Sequence, residues 1–189
     1  MVKKNEIIEA SKTYFREKFK KEKFIPGETY IPPSGKLLDA DDCGQLIDAS
    51  LDMWLTAGRF AAQFESTLAR KFGKKISKLT VSGSAANLLA FSTLTSWKLG
   101  ENRLKPGDEV ITVAAGFPTT VAPIIQNGCI PVFVDIDVAT HNVDVKAVEN
   151  AVTLKTRAIM IAHSLGNPFD AIAIQKICKK HDLYLIEDC

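Results

Sequence analysis

Leu79-Thr80-Val81-Ser82-Gly83-Ser84-Ala85-Ala86-Asn87-Leu88-Leu89 is the stretch on which the fold turns. An apolar, β-branched run (Ile76, Leu79, Val81) breaks at Ser82-Gly83-Ser84. It restarts as Ala85, Leu88, Leu89, Phe91 and Leu94 at helical spacing, which predicts a strand, a tight turn and a helix. A helix N-terminus leaves backbone N–H groups unpaired and carries partial positive charge. Small residues let an anion approach those groups and hydroxyls add donors, so this turn can hold a phosphate. The plainer alternative is a capped strand-to-helix junction, with Ser84 as the cap. The turn matches neither the dinucleotide-binding glycine pattern nor the P-loop, since no Lys follows the glycine at the right place.

Downstream, strands alternate with helices. Strand Ile76–Val81 leads to helix Ser84–Trp97, then Pro106-Gly107-Asp108 leads to strand Glu109–Val113. A helix starts at Pro118, runs from Thr119 to Gln126 and stops at Asn127-Gly128. Strand Ile130–Val134, helix Val143–Val152 with Asn142 and Asp144 as cap candidates, strand Ala158–His163, helix Asp170–His181 and strand Leu183–Ile186 follow. The strands are almost uniformly apolar. This predicts an α/β fold of three layers: a mostly parallel sheet with helices on both faces.

Upstream, the texture is helical. Asn5 to Glu22 reads as a charged helix, Asp39–Trp54 as a second helix with an acidic first turn, and Arg59–Phe72 as a third. Between the first two, Phe24 to Lys36 carries Pro26-Gly27, Pro32-Pro33 and Ser34-Gly35 and reads as an extended arm. The expected organisation is therefore residues 1–57 as N-terminal helices and arm, and 58–189 as an incomplete large domain.

The 189 residues are 46% hydrophobic and 24% charged, which suits a globular chain with one sizeable core. A net charge of +2 points to neither a nucleic-acid partner nor a membrane surface. The three histidines are too few and too scattered for a histidine-rich metal site. Cys43, Cys129, Cys178 and Cys189 form no CxxC pair; Cys129 and Cys178 lie in apolar runs and read as buried free thiols. No apolar run is long enough for a membrane span and the basic N-terminus lacks a signal-peptide core, so a cytoplasmic setting is expected. The chain stops just beyond a core strand, at Glu187-Asp188-Cys189, which reads as the N-terminal piece of a larger protein.

In parallel sheets ligands bind at the carboxyl ends of the strands. Here those ends carry Ser82-Gly83-Ser84, Ala114 to Phe117, Asp135 and Asp137, His163-Ser164 and Glu187-Asp188, which should share one rim. A phosphate turn, an aromatic ring and a carboxylate on one rim suit a flat phosphorylated heteroaromatic ring. Gly83 and Ser84 would hold its phosphate and Phe117 would stack on its face. Asp188 would pair with a protonated ring nitrogen, as pyridoxal phosphate requires to act as an electron sink. Each residue also admits a structural role. Phe117 also reads as the residue before a Pro-started helix, Asp188 as a cap or loop carboxylate, His163 as a hydrogen-bonded strand end, and Asp135 and Asp137 as turn caps.

The 79–89 turn resembles that of the fold-type I, pyridoxal-phosphate-dependent sugar aminotransferases of the DegT type. So do Lys105 to Ile111, Pro131 to Asp137, Thr156 to His163 and Leu185 to Asp188. Tyr30 to Lys36, Ala49 to Phe60, Val113 to Val121 and His163 to Asp170 are similar to one branch, the CDP-4-keto-6-deoxy-D-glucose 3-dehydrases (RfbH-like). The resemblance implies that Gly83 and Ser84 contact phosphate, Phe117 stacks on the cofactor and Asp188 meets the pyridine nitrogen. It aligns His163 with a strand-end histidine and gives that residue no firm role.

In the dehydrase branch the resemblance implies a histidine in place of the Schiff-base lysine, the cofactor working as pyridoxamine phosphate. It also implies a [2Fe-2S] cluster fed by a partner reductase, a nucleotide-sugar substrate in lipopolysaccharide O-antigen synthesis, and a homodimer. The lysine/histidine position and most cluster ligands are expected beyond residue 189, so no catalytic residue is assigned and the piece alone should be inactive. Cys189 is not assigned to the cluster, and no metal ligand is expected here. A sugar aminotransferase of the same family is the near alternative. A non-catalytic Rossmann-like binding fragment is the alternative from another class.

Overall fold

The computed structural model describes residues 2–20, 23–32 and 35–189. The chain divides into two compact units, Met1–Leu79 and Thr80–Cys189.

The first unit is helical: α1 (Lys4–Lys18), α2 (Ala40–Leu51) and α3 (Arg59–Lys71). The end of the expected first helix, at 21–22, and Pro33-Ser34 of the arm lie outside the described residues. Asp39 starts α2 by accepting from the amides of Asp41 and Asp42, while Asp42 takes the Asp39 amide: a reciprocal cap. The helix ends at Leu51, short of the expected Trp54. Lys4 and Arg59 converge on Asp48 and Asp52, with Arg59 2.7 Å from Asp48 and 2.8 Å from Asp52.

The second unit holds α4 (Gly83–Leu94), β1 (Glu109–Val113), α5 (Pro118–Gln126), β2 (Ile130–Val134), α6 (Val145–Asn150), β3 (Thr156–Ala162), α7 (Ala171–His181) and β4 (Tyr184–Asp188). The four strands form one parallel sheet in the order β2-β1-β3-β4. Side chains alternate across it and bury two cores. Val110, Ala158, Met160 and Ile186 pack with Phe91 of α4 and Ile124 of α5 on one face. Ile111, Val113, Ile159 and Ile161 pack with Val148 of α6 and Ile174, Ile177 and Cys178 of α7 on the other. Each fully buried side chain of this size contributes about 1.5–3 kcal/mol. The expected three layers are present, and the thiols of Cys129 and Cys178 are free and buried.

One expected strand is absent. Residues 76–81 form no ladder; Ile76 is 72% and Val81 96% exposed. Strand propensity becomes a strand only when a neighbour takes the backbone groups, and none of the four strands pairs here. The Leu79 amide bonds instead to the Glu65 carboxylate at 3.0 Å. Helix α6 is also shorter than the expected Val143–Val152. Its cap is Asp144, because Ile136 and Val143 pair across an antiparallel bridge just before it. Strand β4 runs past the expected Ile186, which brings Asp188 into register with Ala162 of β3.

Candidate active site

The site begins at the first turn of α4. Ser82, not Ser84, is the cap: its backbone is extended and its Oγ accepts from the Ala85 amide at 3.2 Å. Either serine satisfies the sequence preference, and backbone conformation decides between them. Ala86 donates to the Ser82 carbonyl at 3.0 Å. The amides of Gly83 and Ser84 meet no acceptor among the described residues, and a Cβ built on Gly83 meets nothing within 4 Å. Two free amides and the Ser84 hydroxyl thus stand at the positive end of a twelve-residue helix.

This turn opens on a cavity of about 720 Å³ at the carboxyl end of the sheet. Gly83, Ser84, Phe117, His163 and Asp188 all line it. Phe117, 70% exposed, stands on its wall just before Pro118 starts α5. Asp188, at the end of β4, is half-buried. Its Oδ2 accepts from Asn87 Nδ2 at 2.8 Å and from Thr120 Oγ1 at 2.5 Å. Asn87 lies four residues after Gly83 on α4, about 6 Å along the helix axis. Asp188 is thus tethered to the helix whose first turn carries the free amides, and both border the same cavity.

His163 is held by the protein. Its ring stacks on Phe169 with centroids 4.1 Å apart and planes 4° from parallel, and Nε2 meets Glu187 Oε2 at 3.1 Å. Its Nδ1 is buried without a partner.

The expected rim is only partly gathered. Glu187, Asp135 and Asp137 do not line the cavity, whereas Ile136, His141 and Leu165 do. Asp137 caps a turn by accepting from the Thr140 amide at 2.8 Å, and that bond holds its carboxyl below the usual range. Asp135 accepts from the Ile136 amide. Asn87 and Thr120 escaped the sequence reading. The available signal was an amide one turn beyond Ser84, set between Ala86 and Leu88, here buried to 7% exposure.

The residues present fit a phosphorylated pyridine: a free-amide turn at one end, an anchored carboxylate at the other and an exposed aromatic ring on the wall. Among the described residues no three metal-ligating side chains come together. Burial, with Glu187 and Asp188 adding, pushes the Cys189 thiol up.

The fold is that of the large domain of fold-type I pyridoxal-phosphate enzymes. Residues 37–189 match the profile of the DegT/DnrJ/EryC1/StrS aminotransferase family, and the chain belongs to that family. It is 54% identical over 176 residues to the lipopolysaccharide biosynthesis protein RfbH of Salmonella typhimurium, covering 93% of this chain and 40% of that protein. It is 52% identical over 185 residues to a dTDP-4-dehydro-2,6-dideoxy-D-glucose 3-dehydratase of Saccharopolyspora spinosa, covering 98% of this chain and 40% of that protein. Among solved structures, the E. coli GDP-4-keto-6-deoxy-D-mannose-3-dehydratase with bound hydrated PLP superposes with a TM-score of 0.70 at 39% identity, covering 77% of this chain and 37% of that one. NtdA from Bacillus subtilis, with bound cofactor PMP, gives 0.67 at 31% identity, covering 76% and 31%. The chain thus spans about two fifths of the curated relatives it matches. No helix among the described residues is long and apolar enough to cross a membrane.

Proposed function

We propose that this chain is the cofactor-gripping part of a pyridoxal/pyridoxamine-phosphate-dependent nucleotide-sugar 3-dehydratase of deoxysugar and lipopolysaccharide O-antigen synthesis. The observation that carries the reading is the cavity with free amides of Gly83 and Ser84 at one end and the anchored Asp188 at the other. The 54% and 52% identities to RfbH and a sugar 3-dehydratase support the dehydratase branch.

The amides of Gly83 and Ser84, with the Ser84 hydroxyl, bind the phosphate at the positive helix end. The Phe117 ring covers one face of the pyridine and keeps water from it. Asp188 holds a proton on the ring nitrogen. When bound, the cofactor supplies an electron-accepting pyridinium. His163, pinned by Phe169 and Glu187, presents its edge at the cavity wall as a contact for cofactor or substrate.

The general base, a homodimeric assembly, a cytoplasmic setting and a reductase-fed [2Fe-2S] cluster belong to the same proposal for the whole protein, and no step here runs through the cluster. A sugar aminotransferase is the second reading, favoured by the family profile. A lysine at the Schiff-base position of the whole protein selects that reading and a histidine selects the dehydratase.

The test is titration of the full-length protein with pyridoxamine phosphate, followed by absorbance. Saturable binding that weakens in Ser84→Ala and Asp188→Asn supports the proposal. Absence of binding, or indifference to both substitutions, refutes it.

A further inference from the structure

The Asp188 carboxylate accepts two hydrogen bonds from the described residues, both through the same oxygen. Oδ2 takes the Asn87 amide at 2.8 Å and the Thr120 hydroxyl at 2.5 Å, while Oδ1 has no donor among the described residues. Both donors are buried, Asn87 to 7% and Thr120 to 3% exposure. The second Asn87 Nδ2 proton goes to the Thr119 carbonyl at 3.3 Å. One amide thus ties α4 to the first turn of α5 and to the tip of β4.

We infer that Asn87 and Thr120 are positioning residues that lock the Asp188 carboxylate with Oδ1 free to face a ring nitrogen. The inference rests on the reading that this cavity holds a phosphorylated pyridine. A carboxylate on a strand end ordinarily rotates about its last torsion. Two donors on one oxygen fix that rotation and leave a single oxygen for the ligand. Asn87 also fixes distance: it sits on the helix whose first turn carries the free amides, so helix geometry sets the span between the two ends of the grip. A pre-set carboxylate spares the ligand the ordering cost of finding one.

The experiment uses the full-length protein loaded with pyridoxal phosphate. Absorbance of the bound cofactor is titrated against pH, cofactor affinity is measured, and thermal unfolding without cofactor serves as the control for folding. Thr120→Val and Asn87→Ala should each weaken cofactor binding about tenfold. Each should also bring the ring-nitrogen titration into a pH range where the wild-type band stays flat. Thr120→Ser, which keeps the hydroxyl, should restore both readouts. A flat band and wild-type affinity in Thr120→Val and Asn87→Ala would overturn the inference. If Thr120→Val fails to fold, Asn87→Ala decides by the same criterion. Asp188→Asn separates the two layers. Loss of binding in Asp188→Asn, with no effect of the other two, defeats only the positioning role. Unaltered binding and spectrum in Asp188→Asn defeat the cofactor reading itself.

Discussion

The imidazole of His163 lies flat on the ring of Phe169, 4.1 Å between centroids, while Glu187 Oε2 holds its far nitrogen at 3.1 Å. Phe169 is 4% exposed and belongs to the core shared by β1, β3 and α7. Phe169→Ala should therefore cost about 3–5 kcal/mol, and Phe169→Leu clearly less, because leucine refills most of the space. Denaturant unfolding of the full-length protein measures both. The alanine variant should also broaden the His163 ring resonances, since one face of the imidazole loses its support.

Thr112 offers the opposite sign. It is fully buried in β1 and its hydroxyl has no partner among the described residues. Thr112→Val keeps the shape and removes a stranded polar group, so stability should rise by about 1 kcal/mol. An unchanged or lower denaturation midpoint would contradict this.

Gly83 separates folding from binding. Its added methyl meets no protein atom within 4 Å, so Gly83→Ala should leave the melting temperature of the cofactor-free protein unchanged. The methyl enters the anion's approach to the free amides, and pyridoxamine-phosphate affinity should fall about tenfold or more. Isothermal titration beside a thermal melt reads both.

Gly128 is the contrasting glycine. It ends α5 at φ +73°, and a Cβ there would stand 3.1 Å from Pro106 Cβ. Gly128→Ala should destabilise by about 1–3 kcal/mol, checked by the same unfolding assay.

The helical unit should weaken in acid. Hydrogen bonds from Arg59, then Lys4, hold Asp48 below the usual carboxylate range and Asp52 at about 2. Because the folded values are the lower ones, this stabilisation is complete above 3.8 and fades as pH falls toward about 2. Far-UV circular dichroism over that window should show helix loss, reduced in extent by prior Arg59→Met. Asp52 is exposed and Asp48 only half-buried, so added salt should blunt the effect.

Local pattern carried much of the fold. β1 and β2 begin and end at their expected residues, because an apolar run between turn markers leaves little choice. Pro118 and Asn127-Gly128 delimit α5 in the same way. Residues 76–81 have the same texture and no ladder, since a strand depends on a neighbour that a short window does not contain. All five expected site residues line one cavity: His163 and Asp188 at parallel strand ends, Gly83, Ser84 and Phe117 at helix starts. The partners of Asp188 stayed hidden because they lie 101 and 68 residues away along the chain. Asp135 and Asp137 were expected at the rim, yet each turns to a nearby backbone amide, the competing role their side chains favour.

The tip of β4 places two acids back to back: Glu187 reaches His163 and Asp188 reaches Asn87 and Thr120. Adjacent strand residues project to opposite sides, so parity alone assigns each acid its task. Deleting one residue from the Asp182-Leu183 bend would slide β4 by one place against β3, presenting Cys189 where Asp188 now stands and Glu187 in the buried place of Ile186. A thiol would then face the cavity and a carboxylate the apolar core beneath it, so a single-residue frame error would reach both the site and the sheet that carries it.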